Sequence, residues 1–291
     1  MSFSKRTGAI PESIMQIGYM KKTLKNRLYN VLNKTFPKDD DWFADYFGEG
    51  RNTDYEYIRE YVLDKLGVVV KGTNLGKFDE LFLQGDWYVP YDILEHIIEL
   101  MTMLKSFDGY VGTAWAERLE QFSDSIQQVL IEENSGYRLA SGLFVPITNE
   151  NELDSLKSSL HTQYDSVNTH MQKAVAMLAS RAAPDYENSI KESISAVEAL
   201  CCIITGATGR QATLGAAIKR LNTSGVVIHG ALEKAFEKLY GYTSDEGGIR
   251  HGAIDFYNAP EEDARFMLVA CSAFINYLST KTNNLYTKTH E

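Results

Sequence analysis

The chain has 291 residues, a formal net charge of −10 and 44% hydrophobic residues, enough apolar material for one large or two medium cores, which excludes a wholly disordered chain. No apolar run approaches the roughly 18 residues of a membrane span, and no apolar stretch follows Met1-Ser2-Phe3-Ser4-Lys5-Arg6 as a secretory signal requires. The three cysteines, Cys201, Cys202 and Cys271, form neither a disulfide framework nor a zinc spacing, so the reading is a reduced, cytoplasmic protein with no membrane segment.

Helical periodicity dominates the first half. From Met20, the positions Leu24, Leu28, Val31 and Leu32 form a stripe, with Lys21, Lys22, Lys25 and Arg27 on the other faces. Residues 1–38 hold eight Lys/Arg against one acid, and residues 39–133 hold seven against 21 acids. The basic segment is therefore either a polyanion contact or the electrostatic partner of the acidic body. Asn52-Thr53-Asp54 caps a helix carrying Tyr57, Ile58, Tyr61 and Val62, which leaves at Gly67. Val68-Val69-Val70 reads as a short strand. Pro90 opens a helix with Ile93, Leu94, Ile97, Ile98 and Met101 inward, and another runs from about Thr113 through Leu119, Phe122, Ile126 and Leu130.

The pattern then changes. Tyr137 to Ile147 reads as two short strands around Ser141-Gly142, followed by Asn149 and Glu152 at capping-box spacing, and the domain boundary falls near residue 149. Beyond it, Leu153, Leu156, Leu160, Tyr164, Val167, Met171, Ala174 and Leu178 form a long stripe broken near His161. Pro184-Asp185 opens a helix seamed by Ile190, Ile194, Val197, Cys201 and Ile204 and ended by Gly206. Leu214, Ile218 and Leu221 mark one shorter helix, and Leu232, Phe236 and Leu239 another. A last long helix from about Pro260 has Phe266, Val269, Ala270, Ala273, Phe274 and Tyr277 assigned to its core. Long amphipathic helices with short links read as a helical bundle.

No phosphate loop, HExxH, GxSxG or paired CxxC occurs, and Asp39-Asp40-Asp41 reads as a solvated run rather than a cation site. No metal or cofactor is implied. Of six histidines, His96, His161, His170, His229 and His290 sit in ordinary surroundings. His251 instead follows Arg250 between glycines, just before the last helix, where a fixed cation and a proton carrier share a loop that backbone or ligand can approach closely. The alternative is structural, with Arg250 tying loops together.

Phe3-Ser4-Lys5-Arg6 with Gln16, Leu24-Lys25-Asn26-Arg27-Leu28-Tyr29-Asn30, and Glu132-Glu133-Asn134-Ser135-Gly136-Tyr137-Arg138 running into Val145-Pro146-Ile147-Thr148-Asn149 resemble the N-terminal domain of AbiJ-like abortive-infection proteins. The second half, through Pro184 to Glu198, Leu239 to His251 and Ser272 to Leu278, resembles the HEPN-type helical domain usually fused to it. The resemblance implies a mainly α fold: an N-terminal helical domain with a small β-hairpin over 1–148, then a HEPN-like helical bundle over 149–291. It also implies a phage-defence setting, a homodimer, and RNA as substrate of a metal-independent ribonuclease.

The HEPN signature is Arg-x(4–6)-His, and none of the six histidines has an Arg at that spacing; Arg250 and His251 are adjacent instead. Two functions therefore stand. In one, Arg250 and His251 are catalytic and Lys191, Glu192, Tyr240 and Tyr242 bind substrate, the tyrosines by stacking on bases. In the other, the bundle is a non-catalytic dimerisation, sensing or nucleic-acid-binding module.

Overall fold

The computed structural model describes residues 15–37, 54–69, 76–180, 184–208, 214–244 and 259–289. The chain divides into two compact units, Met1–Phe144 and Val145–Glu291. Eleven helices and one two-stranded hairpin make up the described elements, so the fold is mainly α.

The first unit holds α1 (Lys22–Thr35), α2 (Asp54–Lys65), α3 (Gly76–Gln84), α4 (Val89–Leu104), α5 (Tyr110–Glu132) and the hairpin strand β1 (Arg138–Ala140), which pairs with β2 (Leu143–Val145). Helix α4 packs on α5, α2 and α3, while α1 packs on α5 and α3. The predicted stripes make this core: Leu24, Leu28, Leu32, Ile58, Val62, Ile93, Leu94, Ile97, Met101, Phe122 and Ile126 are all fully buried. Each buried aliphatic or aromatic side chain contributes roughly 1.5–3 kcal/mol, so this stripe-on-stripe packing is what holds the helices. Pro90 stands at the start of α4, where its missing N–H costs nothing. Ser141 and Gly142 turn the hairpin with φ of 51° and 83°, the two positive φ values of a type I′ turn.

Two expectations need correction here, and one element is added. Val68 and Val69 form no strand: Val68 N–H donates to the Leu63 carbonyl at 2.8 Å and Gly67 takes φ +67°, so these residues cap the end of α2, while Val70 lies outside the described residues. Lys25, placed on the polar face, is 9% exposed and its Nζ donates to the Gly85 carbonyl at 2.7 Å; burial lowers its ammonium pKa against the pull of Asp86. Helix α3 was not anticipated, because its nine residues bury only Phe78 and Phe82 and offer too few turns for a periodic signal.

The basic segment does pair with the acidic body at one point. Arg27 reaches Glu132 and Glu133, the latter at 2.9 Å, and Thr23 Oγ1 donates to Glu133 at 2.9 Å. These carboxylates raise the Arg27 pKa. The predicted acidic run at residues 39–41 lies outside the described residues.

The second unit holds α6 (Glu150–Leu160), α7 (Asp165–Ala179), α8 (Tyr186–Thr205), α9 (Leu214–Leu221), α10 (Gly230–Ser244) and α11 (Glu261–Thr289). Helix α8 is central and packs on α7, α9, α10 and α11; α11 also packs on α6 and α7. The local signals hold. Asn149 Oδ1 accepts from the N–H groups of Asn151 and Glu152, Asp185 accepts from Asn188 N–H, and Gly206 ends α8 at φ +65°. The stripe breaks at His161, as its polar link requires.

The core face of α11 is a correction. Phe266 is 60% exposed and Ala273 is exposed, whereas Ala264, Met267, Leu268, Cys271, Phe274, Ile275 and Leu278 are buried. This stretch of α11 is apolar on more than one face, so helical spacing alone had two solutions.

Cys201 and Cys271 are buried and Cys202 is half-buried. Burial pushes the Cys271 thiol up to about 12 and raises Cys201, to which the neighbouring Cys202 and Glu198 add. Burial that raises these two thiols also shields them, so Cys201 and Cys271 are poor nucleophiles in the folded protein.

Two expected outcomes follow from this packing. Leu28→Ala should destabilise the first unit by about 2–5 kcal/mol, and Arg27→Ala by about 1 kcal/mol or less, because its ion pair is more than a third exposed. Urea unfolding followed by tryptophan fluorescence reads this unit alone, since all three Trp precede Phe144; an Arg27→Ala loss as large as that of Leu28→Ala would contradict the ranking. In the second unit, burial and Glu198 raise the half-buried Cys202 thiol as well, so iodoacetamide at pH 8 should label Cys202 slowly and alone before denaturation and all three thiols rapidly after it, as read by mass spectrometry. Labelling of Cys271 in the folded protein would show that its site is open.

Candidate functional site

Helices α7 and α8 approach closely because small side chains face the contact. Ser189, Ser193 and Ala174 are fully buried, and Ser189 Oγ donates to the Ala174 carbonyl at 2.8 Å. Three residues on from Ser189 is Glu192, and four residues back from Ala174 is His170. On antiparallel helices these residues meet one turn from the serine contact. There, Nδ1 of His170 and Oε2 of Glu192 are 2.6 Å apart, with side chains 32% and 24% exposed. An ionised carboxylate only accepts, so Nδ1 carries the proton and Nε2 is left to accept or deliver one. An imidazole oriented by a carboxylate and open to solvent is the arrangement of a general acid–base pair.

The predicted substrate-binding residues Lys191 and Glu192 both lie on α8, Lys191 half-buried and Glu192 engaged by His170. The structure does not bring Lys191 into a described side-chain bond. Tyr240 and Tyr242 belong to α10, but their side chains are not among those described, and Arg250 and His251 lie outside the described residues. His170 was grouped with the ordinary histidines. Nothing near it in sequence distinguishes it, because its partner is 22 residues away and only the α7–α8 register joins them. Two other histidines keep ordinary roles: His96 contacts Glu99 on the surface of α4 at 3.3 Å, and His229 Nδ1 accepts from Ala231 N–H at the start of α10.

No three His, Cys, Asp or Glu side chains converge as a metal site among the described residues. No helix among them is long and apolar enough to cross a membrane.

Gln16, Arg27 and the segment Glu132–Arg138, three of the places that carry the resemblance in the first half, converge in space, while Phe3–Arg6 lie outside the described residues. Gln16 is fully buried: its N–H donates to the Asn134 carbonyl at 3.0 Å, its carbonyl accepts from Gly136 N–H at 2.9 Å, and its side chain donates to the Glu133 carbonyl and accepts from Lys21 N–H, each at 2.6 Å. Gly136 is required by this approach, since a Cβ there would stand 2.9 Å from the Gln16 carbonyl oxygen. Arg27 joins through Glu132 and Glu133, and Arg138 donates to the Ser135 carbonyl at 2.8 Å. These residues tie the chain together.

The family model of AbiJ N-terminal domain 4 matches residues 1–162, which is the first unit and the segment through α6. No curated protein and no solved structure matches the chain. With more than half of its length covered by that model, the chain belongs to the AbiJ N-terminal domain 4 family.

Proposed function

We propose that this abortive-infection, phage-defence protein carries a HEPN-type helical domain over residues 149–291 that cleaves RNA without a metal, as a homodimer in the cytoplasm. The observation that carries the reading is the His170–Glu192 pair, a solvent-reaching imidazole held at 2.6 Å by a carboxylate on the neighbouring helix.

The reaction needs no metal because the nucleophile is already in the substrate. The ribose 2′-hydroxyl attacks the adjacent phosphorus, the O2′–P bond forms, and the P–O5′ bond breaks to leave a 2′,3′-cyclic phosphate and a 5′-hydroxyl. One group must take the 2′ proton and another must give a proton to the departing oxygen. His170 and His251 fill these two roles. Arg250 holds the phosphoryl oxygens, bidentately where geometry permits, with Lys191 as a further cation. Glu192 holds His170 in the tautomer that leaves Nε2 ready, and Tyr240 and Tyr242 stack on flanking bases.

Dimerisation is supported by the outward face of α11. Phe266 at 60% exposure, Val269, Ala270 and Ala273 stand at i, i+3, i+4 and i+7 and form an apolar stripe that the second unit itself leaves partly open. Light scattering should give twice the chain mass at micromolar concentration, and Phe266→Glu should give the monomer. A monomer in the unaltered protein would remove the dimer from the proposal.

Purified protein incubated with total tRNA and single-stranded RNA in EDTA should produce cyclic-phosphate ends. His170→Ala, His251→Ala and Arg250→Ala should each slow cleavage by about 10²–10⁴-fold with melting temperatures within a few degrees of the unaltered protein. Collapse of the fold in Arg250→Ala would assign that residue a structural role. RNA binding without cleavage, or no interaction with RNA, would instead establish a non-catalytic HEPN-like module.

A further inference from the structure

Arg59 of α2 is a cation with no exposure to solvent, and it is only partly matched. Its Nη2 donates to Asn33 Oδ1 of α1 at 2.8 Å and its Nη1 to the Tyr55 carbonyl at 3.3 Å, and the guanidinium lies over the Tyr55 ring, 3.3 Å from the centroid. Helices α1 and α2 therefore hold this cation in place by themselves. Helix α3 supplies two further contacts: the Phe78 ring at 4.8 Å, and the Asp79 carboxylate, whose Oδ1 stands 3.9 Å from Nε. That separation is beyond hydrogen-bond reach. Nε and Oδ1 are both buried, and neither has another hydrogen-bond partner. Burial lowers the Arg59 pKa, against the pull of Tyr55, Asp79 and Tyr29.

A buried ion pair without a hydrogen bond returns less than the desolvation of its charges costs, and each orphaned atom regains a partner once water reaches it. Against that cost α3 offers little. Of its nine residues only Phe78 and Phe82 are buried, whereas α4 buries nine of sixteen. Burying two phenylalanines and orphaning two polar atoms are effects of the same order and opposite sign, so α3 is docked by a narrow margin. Tyr29 of α1 tips the margin towards closure: its hydroxyl bonds to Asp79, and its ring meets Phe82 with centroids 5.3 Å apart.

The trailing end of α3 is pinned. Gly85 N–H donates to the Leu81 carbonyl at 3.0 Å, and the Gly85 carbonyl accepts from Lys25 Nζ of α1 at 2.7 Å. A Cβ at Gly85 would stand 2.4 Å from the Leu81 carbonyl oxygen, so this tight exit requires glycine. Asp79 lies in the first turn of the helix. Its release frees the leading end and leaves Gly85 as the pivot.

We infer that α3 is a strap on the first unit, latched by Asp79 on Arg59 and pivoting at Gly85, which opens while α1, α4 and α5 stay packed. Opening presents a cation beside the Tyr55 ring, and closing hides both. The strap shares no residue with the ribonuclease reading and stands whether or not RNA is cleaved.

Phenylglyoxal, which modifies accessible guanidinium groups, separates opening of the strap from unfolding of the unit, because Arg138 is a second buried arginine of that unit, held by the Ser135 and Tyr137 carbonyls. In the folded full chain the reagent should modify Arg59, at 0% exposure, at least about tenfold faster than Arg138, at 6%, as read by peptide mass spectrometry. Asp79→Asn should speed modification of Arg59 about tenfold, and hydrogen exchange of residues 76–84 by a similar factor, with exchange of α4 unchanged. Replacing the pair by apolar side chains, Arg59→Met with Asp79→Leu, should slow exchange of residues 76–84 about tenfold, since the orphaned atoms are gone. Equal modification of the two arginines, α3 exchanging in step with α4, or both sets of substitutions shifting α3 in the same direction would overturn the inference. The arginine comparison and Asp79→Asn decide it even if the double variant does not fold.

Discussion

The first unit depends on how the chain leaves its longest described helix there. After Glu132 the backbone must reverse, and Asn134 does this with φ +54°. The carbonyls and N–H groups exposed by the reversal are buried, so each needs a partner. Ser135 N–H bonds back to the Leu130 carbonyl, Tyr91 OH meets Ser135 Oγ at 2.9 Å, and Gln16 fills the remaining positions as a one-residue parallel bridge to Ser135. A buried amide that lost these bonds would cost about 1–3 kcal/mol for each orphaned group. The same knot fixes the start of α1 through Lys21 N–H and the hairpin through Arg138, and it thereby sets where the stripes of α1, α4 and α5 meet. A polar network of this density tolerates few substitutions in any of its members.

The second unit solves a different problem. Its central helix α8 is covered by four others, and the small residues Ser189, Ser193 and Ala196 let them come close. Close packing on this side leaves polar side chains at its margins, where His170 meets Glu192 and where the α6–α7 link stands clasped by Asn168. Two regions of α11 then differ in kind. Its Phe266–Ala273 face offers apolar surface, while Asn276, Ser279, Thr280 and Asn283 offer hydrogen bonds. The first suits a protein surface.

Much of this was legible in the residues, but unevenly. The stripes of α1, α4, α6, α7 and α8, the caps at Asn149, Asp185 and Gly206, and the I′ turn at Ser141-Gly142 are local facts, set by spacing and by φ preference. The short helix α3 has too few turns to announce itself. Lys25 read as a surface lysine because a long side chain can enter a core if its ammonium finds a carbonyl, here that of Gly85, and nothing local reveals that acceptor. Of the candidate site, Glu192 was visible as a carboxylate on a polar face, whereas His170 was not, since a histidine becomes an oriented acid–base group only through a partner on another helix.

The sequence by itself determined the elements: a mainly α chain with one hairpin, the helix ends, and the buried stripes where a helix is apolar on a single face. These follow from backbone sterics, capping and burial, which act over a few residues. Only the tertiary structure decided which face of α11 turns inward, which histidine is held by which carboxylate, and that Gln16, Arg27 and Glu133 close one knot across more than a hundred residues. Such choices depend on the free energy of burying one surface rather than another and on matching donors to acceptors between distant segments, and that matching exists only once the helices have packed.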